Sequence, residues 1–178
     1  NEMRERVIEA AKKVGIDSFL NHAPHELSGG QKQRVSLAGV MVDNVEIFLF
    51  DEPLANLDPA SGKKTIELID QIYKDTGATI IIVEHRIEDV LHRSVDRVVL
   101  MGEGSIILDT TPDKLLSSDS LIKNGIREPL YVTALKYAGV EIKEEMKPGM
   151  IDTLILSDGD KKKVIDWIES VPDRPQMD

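Results

Sequence analysis

The sequence predicts an α/β fold built on a mostly parallel sheet with flanking helices. Two short, largely apolar runs, Glu46–Phe50 and Ala78–Val83, are typical of strands in such a sheet. Between them, Pro59–Lys74 has helical spacing, with Asp58 placed to cap its start and Gly77 to end it. A strand, a helix and a second strand in this order form a βαβ unit, which joins parallel strands.

The remaining elements of the sheet domain follow from local patterns. We predict a helix from about Met3 that stops at Gly15, and another over Gln31–Met41, because apolar residues recur there at helical spacing. The Val-rich run Arg97–Met101 predicts a third strand, and a tight turn then leads into Ile106–Leu108 as its hairpin partner. Because the strand runs lack polar alternation, we expect the sheet to be covered on both faces.

The composition changes after about residue 112, which predicts a second part of the chain. We assign residues 1–112 to the sheet domain, 113–171 to a small α+β C-terminal extension and 172–178 to a linker. Short helices are expected in the extension at Lys114–Leu116, Leu121–Asn124, Pro129–Tyr137 and Lys161–Glu169. The chain also opens directly on a helical pattern without an initiator Met, so we expect it to be a piece of something longer.

Charge and composition exclude several classes of function. The 178 residues contain 22 Lys and Arg against 32 Asp and Glu, a net charge of −10, which argues against nucleic acid as a partner. Cysteine is absent, so disulfides, thiolate metal sites and cysteine nucleophiles are excluded. The apolar runs fall far short of the ~20 residues that span a bilayer.

The turn Leu27–Gln31, which reads L-S-G-G-Q and runs straight into a helix, predicts an anion site. The first N–H groups of a helix have no partner within it, and the helix dipole favours negative charge there. Gly29 and Gly30 would let a phosphate approach the backbone, and the Ser28 hydroxyl could add a donor. The alternative is a serine-capped helix after a flexible turn.

Two adjacent carboxylates end the first apolar strand. Asp51 and Glu52 are placed where open α/β sheets bind ligands, so Asp51 could hold Mg²⁺ and Glu52 could orient or deprotonate an attacking water. The alternative is an acidic turn into the next helix. If the strands are parallel, His85, at the end of the neighbouring strand, lies near both acids and could bind a terminal phosphate.

Taken together, these residues resemble the second half of an ABC-type ATPase domain, a member of the P-loop NTPase-like folds. Leu27–Gln31 matches the family's signature motif, and Phe48–Glu52 resembles its Walker B strand with the catalytic glutamate. Leu54–Asp58 is similar to the D-loop, and His85 falls at the switch histidine. The order and spacing agree over roughly residues 3–112.

The resemblance implies ATP and Mg²⁺ as cofactors and a role for each matching residue. Glu52 and His85 would be catalytic, and Asp51 would hold the metal. The residues implied in nucleotide binding across a dimer of cassettes are Ser28, Gly29, Gly30, Gln31 and Asp58. The implied partners are a second ATPase cassette, in the same chain or another, and a transmembrane transport subunit, which would place the protein at the cytoplasmic face of the cell membrane.

One large departure is that this sequence lacks the P-loop and the glutamine-bearing loop of the family. Ser61–Thr65 resembles a P-loop only superficially, because the required first glycine would fall at Leu57 and Lys64 occupies the Ser/Thr place. We therefore expect the chain to be a fragment that is inactive alone, although the complete protein would be a transport ATPase.

Within the ABC class, Asp51–Pro59 and Val83–Leu91 look most like the energy-coupling-factor ATPases of vitamin and metal-ion importers, with the thiamine-precursor type as the nearest likeness. Two alternatives stay open. One is an ABC ATPase of DNA repair or translation, and the other is an inactive interaction fragment.

Overall fold

The computed structural model describes residues 2–43, 45–55 and 57–171. The chain divides into two compact units, Asn1–Glu84 and His85–Asp178. The predicted boundary at residues 112 and 113 differs from this division, and as a limit of the ATPase domain it stays a prediction.

The first unit contains three helices and a parallel pair of strands among its described residues. Its elements in chain order are α1 (Glu2–Lys13), two 3-10 turns (Asp17–Phe19 and Pro24–Glu26), α2 (Gly29–Met41), β1 (Ile47–Asp51), α3 (Pro59–Thr76) and β2 (Thr79–Val83). The predicted helices and strands are all present, with ends displaced by one or two residues.

Helices α1 and α2 pack through small and branched side chains. The buried residues of this contact are Ala10, Ala11, Val14, Ile16 and Ala38. Gly15 ends the first helical segment at φ +65°, a conformation that glycine adopts without strain. Arg34 in α2 donates to the Val14 carbonyl oxygen at 3.1 Å, which ties the two helices together beside that glycine.

Strands β1 and β2 pair in parallel, with Ile47 opposite Thr79 and Asp51 opposite Val83. One face of this pair is buried, because Phe48 packs with Ile72 of α3 and with Ala78. The expected cover on the second face is absent from the described residues of this unit, where exposed side chains are Ile47, Leu49, Ile81 and Val83. The expectation of cover on both faces is therefore wrong for the described residues, because α2 and α3 pack against one face.

The second unit is helical apart from one hairpin in its described residues. Its elements are α4 (Ile87–Val90), β3 (Val98–Gly102), β4 (Ser105–Thr110), α5 (Pro112–Leu116), α6 (Ser120–Lys123), α7 (Leu130–Tyr137), two 3-10 turns (Glu144–Met146 and Ile151–Thr153) and α8 (Asp158–Ser170). They share a core whose fully buried members include Leu115, Leu116, Leu121 and Val132.

The hairpin is confirmed, but β3 is not a central strand of the parallel sheet. It pairs antiparallel with β4 as a separate two-stranded sheet, through a turn in which Glu103 and Gly104 both have positive φ. Two positive φ values in succession are the geometry that matches the twist of a two-residue hairpin. Val99 and Met101 are exposed, so this ribbon is also covered on one face.

The architecture of the C-terminal extension differs from the expected α+β arrangement. Residues 113–171 form helices and 3-10 turns and contain no strand within the part of the chain that the structure describes. The short helices were predicted correctly in place, while α8 begins three residues early because Ser157 caps it. The predicted linker, 172–178, lies outside the described residues. Among those described, no helix is long and apolar enough to span a membrane.

Candidate nucleotide site

The turn before α2 is a helix N-terminus closed by a reciprocal cap. The Ser28 hydroxyl accepts from the Gln31 N–H at 3.3 Å, and the Gln31 side-chain oxygen accepts from the Ser28 N–H at 2.8 Å. This is the capping box that satisfies two of the helix's unpaired donors. The serine-capped helix is therefore present, and it leaves the proton of the Ser28 hydroxyl available to donate.

Gly29 and Gly30 keep the same helix end open to an anion. A Cβ built on either glycine would meet no other part of the described structure within 4 Å beyond its chain neighbours and the helix backbone, so both positions are uncrowded. No hydrogen bond found among the described residues uses the N–H of Gly29 or Gly30. Two N–H groups, the Ser28 hydroxyl and the dipole of a 13-residue helix fit a phosphate group.

Asp51 and Glu52 lie together at the carboxyl end of the parallel strands, as predicted. Asp51 is the last residue of β1, and the Glu52 N–H continues the ladder by donating to the Val83 carbonyl at 2.9 Å. Both side chains are exposed. Glu52 has φ +45°, a left-handed conformation that costs an L-residue of this size roughly 1–3 kcal/mol and is kept where surrounding bonds fix it.

The turn that follows the two acids, Asp51–Ala55, is held from three sides. Ala55 donates to the Glu52 carbonyl at 3.0 Å, and the wholly buried Leu54 donates through its N–H to Glu84 Oε1 at 3.0 Å. The Gln33 side chain donates to the Pro53 carbonyl oxygen. Helix α2 and the end of β2 therefore fix the backbone that presents Glu52.

Gln33 and Glu84 are the positioning residues that sequence reasoning missed. Each is a polar residue next to a motif, and its partner lies 20 or 30 residues away along the chain. The one available signal was the position of Glu84 directly before His85 at a strand end. Neither spacing nor propensity indicates which backbone group such a side chain will bind.

Asp58 caps α3, as its sequence position predicts. Its Oδ1 accepts from the N–H groups of Ala60 and Ser61 at 3.0 Å, and the Ser61 hydroxyl donates to Oδ2. These bonds, that of the Ser61 hydroxyl foremost, lower the pKa of Asp58 from its usual range. Its implied role across a cassette dimer stays a prediction. The false P-loop, Ser61–Thr65, lies inside α3 as expected.

His85 belongs to the second unit, whereas the two acids belong to the first. Its exposed side chain lines a cleft of about 430 Å³ together with residues 86–89 and 125–128. The structure thus brings Asp51 and Glu52 together at one strand end. The expected proximity of His85 to these acids stays a prediction.

The described residues offer few protein ligands for a metal ion at Asp51. No group of three or more His, Asp or Glu side chains that could hold a metal is found among the described residues. Mg²⁺ commonly takes one or two protein carboxylates and completes its shell with phosphate oxygens and water. The exposed Asp51 carboxylate fits that arrangement, in which most ligands come from nucleotide and solvent.

Comparison with known proteins gives the family. A profile described as ABC transporter matches residues 1–55, which include the turn at Ser28 and both acids but stop before Asp58 and His85. A second profile, described as ATP-binding cassette cobalt transporter, matches residues 118–177. The chain belongs to the ABC transporter ATPase family. The C-terminal extension is thus recognised as part of such proteins as well.

Relatives of this ABC chain match nearly all of its length. A Vibrio parahaemolyticus protein named as an ABC transporter ATP-binding protein is 55% identical over 174 residues, which is 98% of this chain and 30% of that protein. A Clostridium perfringens protein of the same description is 56% identical over 170 residues, 96% of this chain and 30% of that protein. The chain therefore spans about a third of the length of the relatives it matches.

Solved structures of ABC ATPases share this fold. The structure of cbiO1 from Clostridium perfringens, described as part of the ABC transporter complex cbiONQ, is 37% identical, with a TM-score of 0.61 over 68% of this chain and 48% of that one. The ATP-binding cassette MJ1267 in its ADP conformation is 25% identical, with a TM-score of 0.58 over 70% of this chain and 46% of that one. The cbiO1 match supports the energy-coupling ATPase interpretation, while the thiamine-precursor type stays a prediction.

Proposed function

We propose that this chain is the C-terminal half of one ATPase cassette in a longer polypeptide that drives import across a membrane. The observation that carries the proposal is the paired end of β1 and β2, where Asp51 and Glu52 stand exposed on a backbone fixed by Gln33 and Glu84. The family membership and the partial coverage of much longer relatives support the same interpretation.

In the proposed reaction, ATP supplies the phosphoryl group and Mg²⁺ neutralises its charge when both are bound. Asp51 would hold the metal with phosphate and water, and Glu52 would accept the proton of the attacking water. The fixed, strained backbone at Glu52 suits that role, because a general base must lie within hydrogen-bond reach of its water. His85 would donate to the terminal phosphate.

The turn at Ser28–Gly30 is proposed to serve a nucleotide held by a second cassette. Its open N–H groups and uncrowded glycines provide an anion site. A phosphate cradle of the P-loop type is absent from this sequence, so the triphosphate must be gripped by other residues. Gln31 would act through the cap that it forms with Ser28, and Asp58 would act from its position as the cap of α3.

The transported substrate is proposed to be cobalt or a related divalent cation, from the description of the profile that matches the extension. The proposed partners are a second cassette and a transmembrane subunit, with the ATPase at the cytoplasmic face of the membrane. The cbiO1 protein, which belongs to a transporter complex, supports this arrangement.

Uptake of radioactive cobalt tests the proposal in cells that express the full-length polypeptide with its membrane subunits. Glu52→Gln should abolish ATP-dependent uptake. Glu46→Gln, the same change just before β1 on an exposed residue, should leave uptake unchanged. Uptake by the Glu52 variant at the wild-type rate would contradict the catalytic assignment, and no uptake by the wild type would contradict cobalt as the substrate.

A further inference from the structure

The short helix that follows His85 is packed into the core of the C-terminal extension. Leu91, directly after α4, is 3% exposed and belongs to the same hydrophobic cluster as Leu121 and Val132 of the extension. Ile87, the first residue of α4, packs against that cluster from its edge. The chain segment that begins at His85 is therefore anchored by side chains from the second profile's region, residues 118–177.

The extension also forms the second wall of the cleft that His85 lines. This wall is the cleft loop, residues 125–128. Gly125 turns the chain at φ +71°, and the Ile126 N–H donates to the Leu121 carbonyl at 2.9 Å. Ile126 is partly buried and packs against the same cluster as Ile87. The two walls of the cleft therefore share one hydrophobic core.

A buried ion pair joins the cleft loop to α7. Glu128 is 5% exposed, and its Oε1 lies 2.7 Å from Lys136 Nζ in α7. A charge so deeply buried needs a partner, so this end of the loop cannot shift without breaking the pair. Tyr131 in α7 also feels the charge of Glu88 in α4. Burial, followed by the negative charges of Glu88 and Asp113, raises the pKa of Tyr131 to about 12.

We propose that Ile126 is a positioning residue for His85: it fixes α4 from the extension, and through α4 the chain segment that carries the histidine. The extension then has a part in the ATPase reaction although it holds no reacting group. This inference rests on the proposed function, in which His85 donates to the terminal phosphate. A displacement of about 1 Å at such a group can cost up to about a hundredfold in rate.

The test compares two isoleucines that lie four residues apart in the extension of the full-length polypeptide. Ile126→Ala should lower kcat for ATP hydrolysis about tenfold and change KM less than about twofold, because the phosphate cradle lies outside this chain. Ile122→Ala is the matched control, since Ile122 is 57% exposed, and its kcat should stay near that of the wild type. Ile126→Leu should restore most of the lost rate.

A double-mutant cycle with His85→Ala separates positioning from general destabilisation. If Ile126 acts through the histidine, Ile126→Ala should lower kcat by less than about twofold further in the His85→Ala background. An undiminished tenfold loss of kcat in that background, or an effect of Ile126→Ala on KM alone, would overturn the inference. If Ile126→Ala fails to fold by circular dichroism, Ile126→Val takes its place in the same cycle.

The single variants distinguish the two proposals. A wild-type kcat for His85→Ala would contradict the proposed function and the positioning role with it. A strong loss for His85→Ala with no effect of either Ile126 variant would overturn the positioning role and leave the proposed function standing.

Discussion

Gly30→Asp tests whether the N-terminus of α2 binds a triphosphate. The change is expected to leave the fold intact, because a Cβ at residue 30 meets no atom within 4 Å and an acidic side chain in the first turn favours the helix dipole. The new carboxylate would occupy the space in front of the open N–H groups. It should therefore repel a phosphate oxygen without disturbing the cap formed by Ser28 and Gln31.

The size of the effect follows from Coulomb's law. Two like unit charges about 4 Å apart at an effective dielectric constant near 20 repel by roughly 4 kcal/mol. Applied to the transition state, this corresponds to about a thousandfold lower rate of hydrolysis. Gly30→Ala adds the Cβ without the charge, so the repulsion is absent and its rate should stay within about tenfold of the wild type.

The assay is steady-state ATP hydrolysis by the full-length polypeptide with its partner cassette, combined with photo-crosslinking of an azido-ATP analogue. Gly39→Asp is the matched control, because it makes the same change in an open, exposed position of the same helix. The site formed by the altered turn and the partner's P-loop should lose ATP hydrolysis. The azido-ATP analogue should still label the mutated cassette at its own P-loop. Lost labelling of that cassette, with unchanged turnover at the partner's P-loop, would refute the reasoning.

Three further predictions concern the chain itself. Leu54→Ala should lower the free energy of unfolding by about 2–5 kcal/mol, because Leu54 is wholly buried, whereas Leu20→Ala, at a 44% exposed site, should cost far less in the same denaturant titration. Tyr131 keeps its proton to about pH 12 when folded but releases it near pH 10 when unfolded, so stability should fall between these values, by about 1 kcal/mol after allowance for partial exposure. Tyr131→Phe should abolish that fall, and a pH dependence identical to that of the wild type would contradict the assignment. The isolated chain should bind Mg·ATP more weakly than about 1 mM, since its sequence lacks a phosphate cradle, and micromolar affinity by calorimetry would contradict this.

Elements with local signals could be predicted from the sequence. Helix α3 was placed correctly because Asp58 and Gly77 carry cap chemistry that needs no distant partner. The hairpin was predicted because Glu103-Gly104 suits its turn. The adjacency of Asp51 and Glu52 at a strand end follows from the apolar run that precedes them.

Features that depend on distant partners could not be predicted. The bonds of Gln33 and Glu84 join groups that are remote in sequence, and hydrophobic pattern carries no information about them. The single-faced burial of β1 was missed because a run such as Ile47–Phe50 reports the suitability of both faces and not which elements cover them. The short helix α4 was also missed, since the residue before it, Arg86, is not one of the types that signal a helix start.

The central claim is that Glu52 activates the water that attacks ATP. The most direct test is to identify the nucleotide that remains bound to the Glu52→Gln variant. The amide has the shape of the carboxylate but cannot accept a proton, and general-base roles are worth about 10²–10⁴-fold in rate. After incubation of the full-length variant with Mg·ATP and rapid removal of free nucleotide, the account predicts bound ATP and turnover reduced by that factor. Bound ADP, with turnover within about twofold of the wild type, would contradict the account.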